Sequence, residues 1–149
     1  MTETSSTRIP LRDGDWPDPP ASPDSAPFVA AAREGRFLLR RCAACGKAHW
    51  YPRALCPFCF GETAWEEASG EGTIYSYTVL AREDPPRTVA YVTLAEGPTM
   101  LTSLVDCDPQ ALAISLPVQL VFASSRDGTP VPCFRPAGAG DPPEPAPAA

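Results

Sequence analysis

Histidine is almost missing from this chain: 149 residues contain one, His49. With no second imidazole, no Ser–His or Cys–His arrangement for nucleophilic catalysis is available away from that position. Long apolar runs are missing too, and no segment approaches the ~20 residues that a membrane span requires. The opening MTETSSTRIPLRDGDW has no apolar h-region, so no secretory signal is expected there and the expected compartment is the cytoplasm. Thiols stay reduced in that compartment, which weighs against disulfides. Positive charge is also scarce. The formal net charge of −6 argues against a general nucleic-acid binder, which needs a basic surface.

Large apolar residues are thin at both ends. Residues 1 to 27 carry six prolines and five acidic residues, and residues 136 to 149 read PAGAGDPPEPAPAA. Such composition buries too little apolar surface to offset chain entropy. Residues 1–24 and 137–149 are therefore expected as extended or disordered tails. Between them, Ser25-Ala26-Pro27 followed by FVAAAREG predicts a short helix that stops at Gly35. Arg36 to Arg41 predicts a strand running into Cys42, and the neighbourhood of Trp65 a weaker one. After the turn at residues 69–72 the texture changes to β-branched and aromatic alternation. Strands are expected at 73–80, 87–95, 99–105, 118–123 and 130–134, separated by Pro and Gly turns, while 110–116 reads as a helical turn or a loop. Five strands at that spacing suggest a small closed or nearly closed barrel.

The chemistry concentrates in four cysteines: Cys42-x2-Cys45, ten residues, Cys56-x2-Cys59. Each pair puts two thiolates on one side of a tight bend, and two such bends facing each other make a tetrahedral site. Gly46 after the first pair permits a positive φ, and Pro57 stiffens the second loop. Zinc is the expected metal; an iron centre would use the same four sulfurs. Four thiolates close the coordination sphere, so the metal is expected to be structural and no catalytic residue is assigned. His49 lies between the pairs but is not needed as a ligand, and Cys107 and Cys133 read as small buried thiols at strand ends. Trp50, Tyr51 and Trp65 read as packing residues.

Residues 33 to 53 hold six cations, Arg33, Arg36, Arg40, Arg41, Lys47 and Arg53, against Glu34 alone. This is either a solvated face or a site for an anionic partner. Arg40, Arg41, Lys47 and Arg53 are the candidate contacts to a phosphate-bearing cofactor or an acidic protein surface.

The run Glu34-Gly35-Arg36-Phe37-Leu38-Leu39-Arg40-Arg41-Cys42-x-x-Cys45-Gly46, with Tyr51-Pro52-Arg53-x-x-Cys56-Pro57-x-Cys59, resembles the acyl-CoA-associated zinc-ribbon/OB-fold family. Residues 70–79 (GEGTIYSYTV), 91–98, Leu116-Pro117-Val118 and 132–136 continue the likeness, which covers about residues 24 to 136. Two departures are visible: Val29 follows Phe28 where the family has an aromatic pair, and Ser115 replaces a glycine before the Leu-Pro-Val strand. The resemblance implies a mostly β protein with a helix and rubredoxin-like zinc ribbon at 25–69 and a five-stranded OB-fold barrel at 70–136. It also implies a non-catalytic accessory subunit, in a hetero-oligomer with a thiolase-fold catalytic protein such as a thiolase, acyl-CoA aldolase or acyltransferase. That subunit would bridge or stabilise the partner and share its CoA thioester. A zinc-ribbon/OB nucleic-acid binder is the alternative. Residues 72 to 136 supply Tyr75, Tyr77 and Tyr91 for it, but only Arg82, Arg87, Arg126 and Arg135 as cations.

Overall fold

The computed structural model describes residue 9, residues 11–83 and residues 86–138, with the side chains of 12, 13 and 15 excepted. Of the C-terminal tail expected at 137–149, residues 139–149 lie outside those residues, as do residues 1–8 and 10 of the N-terminal one.

Helix α1 (Ala26–Arg33) ends as Gly35 suggested it would. Gly35 adopts φ 77°, its N–H reaches Ala32 O at 2.9 Å and that of Arg36 reaches Ala31 O at 2.9 Å, a Schellman closure. Strand β2 (Leu38–Cys42) pairs antiparallel with β3 (Ala48–His49) on one side and β4 (Thr63–Glu67) on the other. This small sheet is the frame of the ribbon.

The barrel follows. Strands β5 (Glu71–Leu80), β6 (Arg87–Leu94), β7 (Thr99–Leu104), β8 (Pro117–Ser125) and β9 (Pro130–Pro136) pair in the circular order β5-β6-β7-β9-β8, with β8 returning to β5. All pairings are antiparallel except β7 with β9. That closed ring, with one parallel seam, is the OB fold. The ambiguous stretch before β8 resolves into a single 3₁₀ turn at Pro109–Ala111, with the Asp108 carboxylate accepting the Gln110 N–H at 3.0 Å, and then a loop.

Period-two alternation fills the barrel. Thr88, Ala90, Val92 and Leu94 of β6 and Met100, Thr102 and Leu104 of β7 point inward. Ala90, Val92, Leu94, Met100 and Leu104 share one cluster with Ile74, Leu120, Phe122 and Phe134, and also with Phe28 and Ala32 of α1 and Phe37 and Leu39 at the root of the ribbon. Phe28 joins the parts, with its ring 5.1 Å from that of Trp50, 6.0 Å from Phe37 and 6.5 Å from Phe122.

The N-terminal expectation needs one correction. Within the segment 1–24, Leu11–Trp16 form a strand, β1 of the chain, paired parallel with the second half of β8. Its surroundings hold it: Ile9 N–H donates to Gly35 O at 2.8 Å, Arg126 N–H to Trp16 O at 3.0 Å, and Asp127 N–H to the Asp18 carboxylate at 2.9 Å. Backbone pairing to an open stretch of β8 needs no apolar side chains, which is why composition did not reveal it.

Candidate metal centre

The two Cys pairs sit on two turns of the same construction. In the first, Cys42 N–H donates to Lys47 O at 2.9 Å and Gly46 N–H to Cys42 O at 3.1 Å. In the second, Cys56 N–H donates to Gly61 O at 2.9 Å and Phe60 N–H to Cys56 O at 2.9 Å. Main-chain N–H groups turn toward sulfur in both. Ala44 and Cys45 approach Cys42 Sγ at 3.3 and 3.4 Å, and Phe58 approaches Cys56 Sγ at 3.4 Å. Such donors stabilise thiolate, the form that binds metal.

All four sulfurs lie within 4.8 Å of one another, with Cys42–Cys59 at 3.4 Å and Cys45–Cys56 at 3.7 Å. A regular tetrahedron with metal–sulfur bonds of ~2.3 Å has edges of about 3.8 Å, so the four residues fit a zinc ion. Without metal the cluster holds its protons unequally. The Cys42 thiol is lowered to about 6, first by the Cys45 N–H and against its burial, with help from the Ala44 N–H. At Cys59 the Gly61 N–H lowers the value, but the hydrogen bond with Cys42, burial and the neighbouring thiols outweigh it and push it up to about 11.

Gly61 belongs to the site although the sequence did not single it out. A Cβ there would stand 2.9 Å from Cys42 Sγ, 3.0 Å from Ala44 Cβ and 3.3 Å from Cys59 Sγ. The signal was available as a glycine two residues beyond the last ligand.

His49, in β3 and paired with Arg40 of β2, is buried and is not grouped with the sulfurs. Neither ring nitrogen has a hydrogen-bond partner of ordinary geometry. Burial pushes its pKa down; the Arg53 main chain opposes this, while the Arg40 and Arg53 guanidiniums add to it. Cys133 is buried in a small cluster with Val121 and Ala123, and Cys107 is half-buried, its pKa raised first by burial.

Arg40 and Arg41 are consecutive in β2 and so face opposite sides of it. The Arg40 guanidinium lies 4.4 Å from the centre of the Trp65 ring and donates to Thr63 O at 3.3 Å. Arg41 is bound at 2.6 Å to the Glu66 carboxylate and at 2.7 Å to Gly46 O. Lys47 Nζ lies 5.0 Å from the Phe58 ring centre, and Arg53 is exposed on the turn leading to Cys56.

The outer barrel face carries Tyr75, Tyr91 and Leu101, all exposed, with Tyr91 paired to Leu101 across β6 and β7. Arg87 is held by Glu83 at 3.2 Å and lies 5.9 Å from the Trp16 ring.

Residues 29–66 match the ChsH2 rubredoxin-like zinc ribbon domain, and residues 65–123 match the ChsH2 C-terminal OB-fold domain. A DUF35 domain-containing scaffold protein of Methanothermobacter thermautotrophicus is 35% identical over 95 residues, which is 58% of this chain and 71% of that protein. The chain belongs to this ChsH2/DUF35 family. Its four clustered cysteines are accordingly a structural zinc site. A probable enoyl-CoA hydratase alpha subunit of Thermomonospora curvata is 36% identical over 129 residues, covering 81% of this chain but 40% of the relative's length. Among solved structures, a chain of the Ltp2-ChsH2(DUF35) aldolase superposes with a TM-score of 0.70 at 34% identity, over 80% of this chain and 99% of that one. A DUF35-family protein of unknown function from Sulfolobus solfataricus shares the fold, with a TM-score of 0.60 at 14% identity over 78% of this chain and 87% of that one. No helix among the described residues is long and apolar enough to cross a membrane.

Proposed function

We propose that this chain is a non-catalytic scaffold subunit of a complex that acts on acyl-CoA thioesters, with a thiolase-fold protein as its catalytic partner. The observation that carries the reading is the likeness, over 99% of the solved chain, to the ChsH2 component of an aldolase assembly. The site chemistry supports it. Four thiolates complete a tetrahedral zinc shell and leave no open position for a metal-bound water. The lone histidine is enclosed next to two guanidiniums, with its ring nitrogens unpaired to any carboxylate or hydroxyl. An aldolase is favoured over a thiolase or acyltransferase partner by the same solved relative. In the assembly, Arg40, Arg41, Lys47 and Arg53 are the candidates for contact with a CoA phosphate or an acidic partner surface, Lys47 and Arg53 more than the two arginines already engaged within the ribbon.

The test is co-purification from the native host, then co-expression of this chain with the captured protein. A thiolase-fold protein should elute with the chain at the mass of a hetero-oligomer, and carbon–carbon cleavage of acyl-CoA substrates should require the partner. Turnover of an acyl thioester by this chain alone would overturn the reading, as would a chain that stays alone beside every such protein of its host.

A further inference from the structure

The equivalence of the two zinc turns exposes an anomaly at Phe60. Gly46 and Phe60 hold the same place after their Cys pairs, and both have left-handed backbone, φ 76° and 63°. Glycine adopts that conformation freely, whereas a residue with a Cβ is strained by it. A buried ring could offset the strain through packing, but Phe60 is 78% exposed. Two further apolar side chains on the same short turn are also exposed, Leu55 at 54% and Phe58 at 60%. Strain retained at an exposed apolar residue, on a loop clamped by a metal site, is the mark of a contact surface rather than of a folding element.

We propose that the second zinc turn, through Leu55, Phe58 and Phe60, is the surface that enters the catalytic partner. This rests on the scaffold reading above and specifies its interface. The partner face is an apolar cleft rimmed by carboxylates, because the apolar residues are bordered by the ammonium of Lys47 and by the exposed Arg53. A second copy of this chain is the poorer occupant. Symmetric docking of the same turn would set Lys47 and Arg53 against their own equivalents. The net charge of −6 likewise disfavours a nucleic-acid backbone. Zinc then has a role beyond local stability: it fixes the turn in its binding shape before contact, which lowers the ordering cost of association.

Phe60→Gly separates this proposal from a structural role. Removing the ring relieves the left-handed backbone, so the zinc-loaded variant should melt no lower than the parent and keep its zinc. Its affinity for the purified thiolase-fold partner should nevertheless fall about 30-fold, the scale of a central interface residue. The double variant Leu55→Ser/Phe58→Ser should lose at least as much, while Tyr91→Ser on the barrel face should bind like the parent. Titration calorimetry gives the affinities, and mass spectrometry the zinc content. If the parent binds the partner and Phe60→Gly binds it equally well, the interface is wrong while the scaffold reading stands. If the parent binds no thiolase-fold protein, both fall. Loss in Phe60→Gly of self-association, or of binding to a single-stranded oligonucleotide, in place of partner binding would reassign the surface and overturn the proposal.

Discussion

Inside the barrel, Ile74, Val92, Met100, Leu120, Phe122 and Phe134 meet in one apolar cluster. Beyond Cys42 the ribbon has nothing comparable: the buried residues between there and Gly61 are Cys42, Ala48, His49, Pro52 and Cys56. The barrel keeps its shape by removing side chains from water. The outer ribbon keeps it by four sulfurs, main-chain hydrogen bonds and a metal ion. The border between the two regimes runs through a single strand, β2, whose Leu39 lies in the barrel's cluster while its Cys42 is a ligand. The ribbon can therefore fail locally while its root stays anchored.

Removing the metal tests that border most severely. Zinc in a site of this type contributes about 10 kcal/mol of folding free energy to the residues it organises. Cys56→Ser, or chelation of the parent, should abolish hydrogen-exchange protection across residues 42–63 and leave β5 to β9 protected. Simultaneous loss of the barrel would show that the two regions are one cooperative unit. The converse test is Phe134→Ala, which empties a fully buried position of the cluster. It should cost about 3–5 kcal/mol in denaturant unfolding. Because Phe37 and Leu39 share that cluster, the ribbon should lose its anchor in the same transition.

The same division explains what the sequence made legible. Ligand spacing is local, so the zinc site could be read from two Cys pairs. Side-chain alternation is local as well, so the five barrel strands were located to within a few residues. Partners distant along the chain were not visible. β1 is held by backbone pairing to β8, more than a hundred residues away, and its Pro- and Asp-rich setting concealed it. The basic stretch looked like one surface because it is continuous in sequence. Strand periodicity divides Arg40 from Arg41, and Trp65 and Glu66 of β4 engage them from opposite faces. The left-handed backbone at Phe60 is a property of the folded turn, which neither composition nor ligand spacing records.

A smaller effect is expected at Gly61, where the comparison concerns space rather than burial. The Cβ of Gly61→Ala would crowd Cys42 Sγ at 2.9 Å and must displace a ligand or the turn. The apparent zinc affinity should fall about 10- to 100-fold, the range seen when the support of a metal ligand is disturbed. Competition with a chromophoric chelator measures it, and the barrel's melting should move little. Unchanged affinity would mean that the second turn yields easily, contrary to a preformed metal site.

The smallest effect lies on the barrel side, at Ser115. Its φ is 70°, so the backbone there is left-handed although the residue carries a Cβ. The conformation is enforced from both sides: Ser115 N–H donates to Ile74 O at 2.8 Å, and Ile74 N–H donates back to Leu116 O at 3.0 Å. A residue with a Cβ loses roughly 1 kcal/mol in that region. Glycine recovers this but gives part of it back through the greater freedom of its unfolded chain. Ser115→Gly should therefore stabilise the barrel by about 0.5 kcal/mol, a rise of ~1–2 °C in melting temperature for a chain of this size. Zinc affinity should not change, because the loop touches the barrel and not the sulfurs. A lower melting temperature would mean that the serine side chain compensates its backbone in a way the hydrogen bonds at this loop do not reveal.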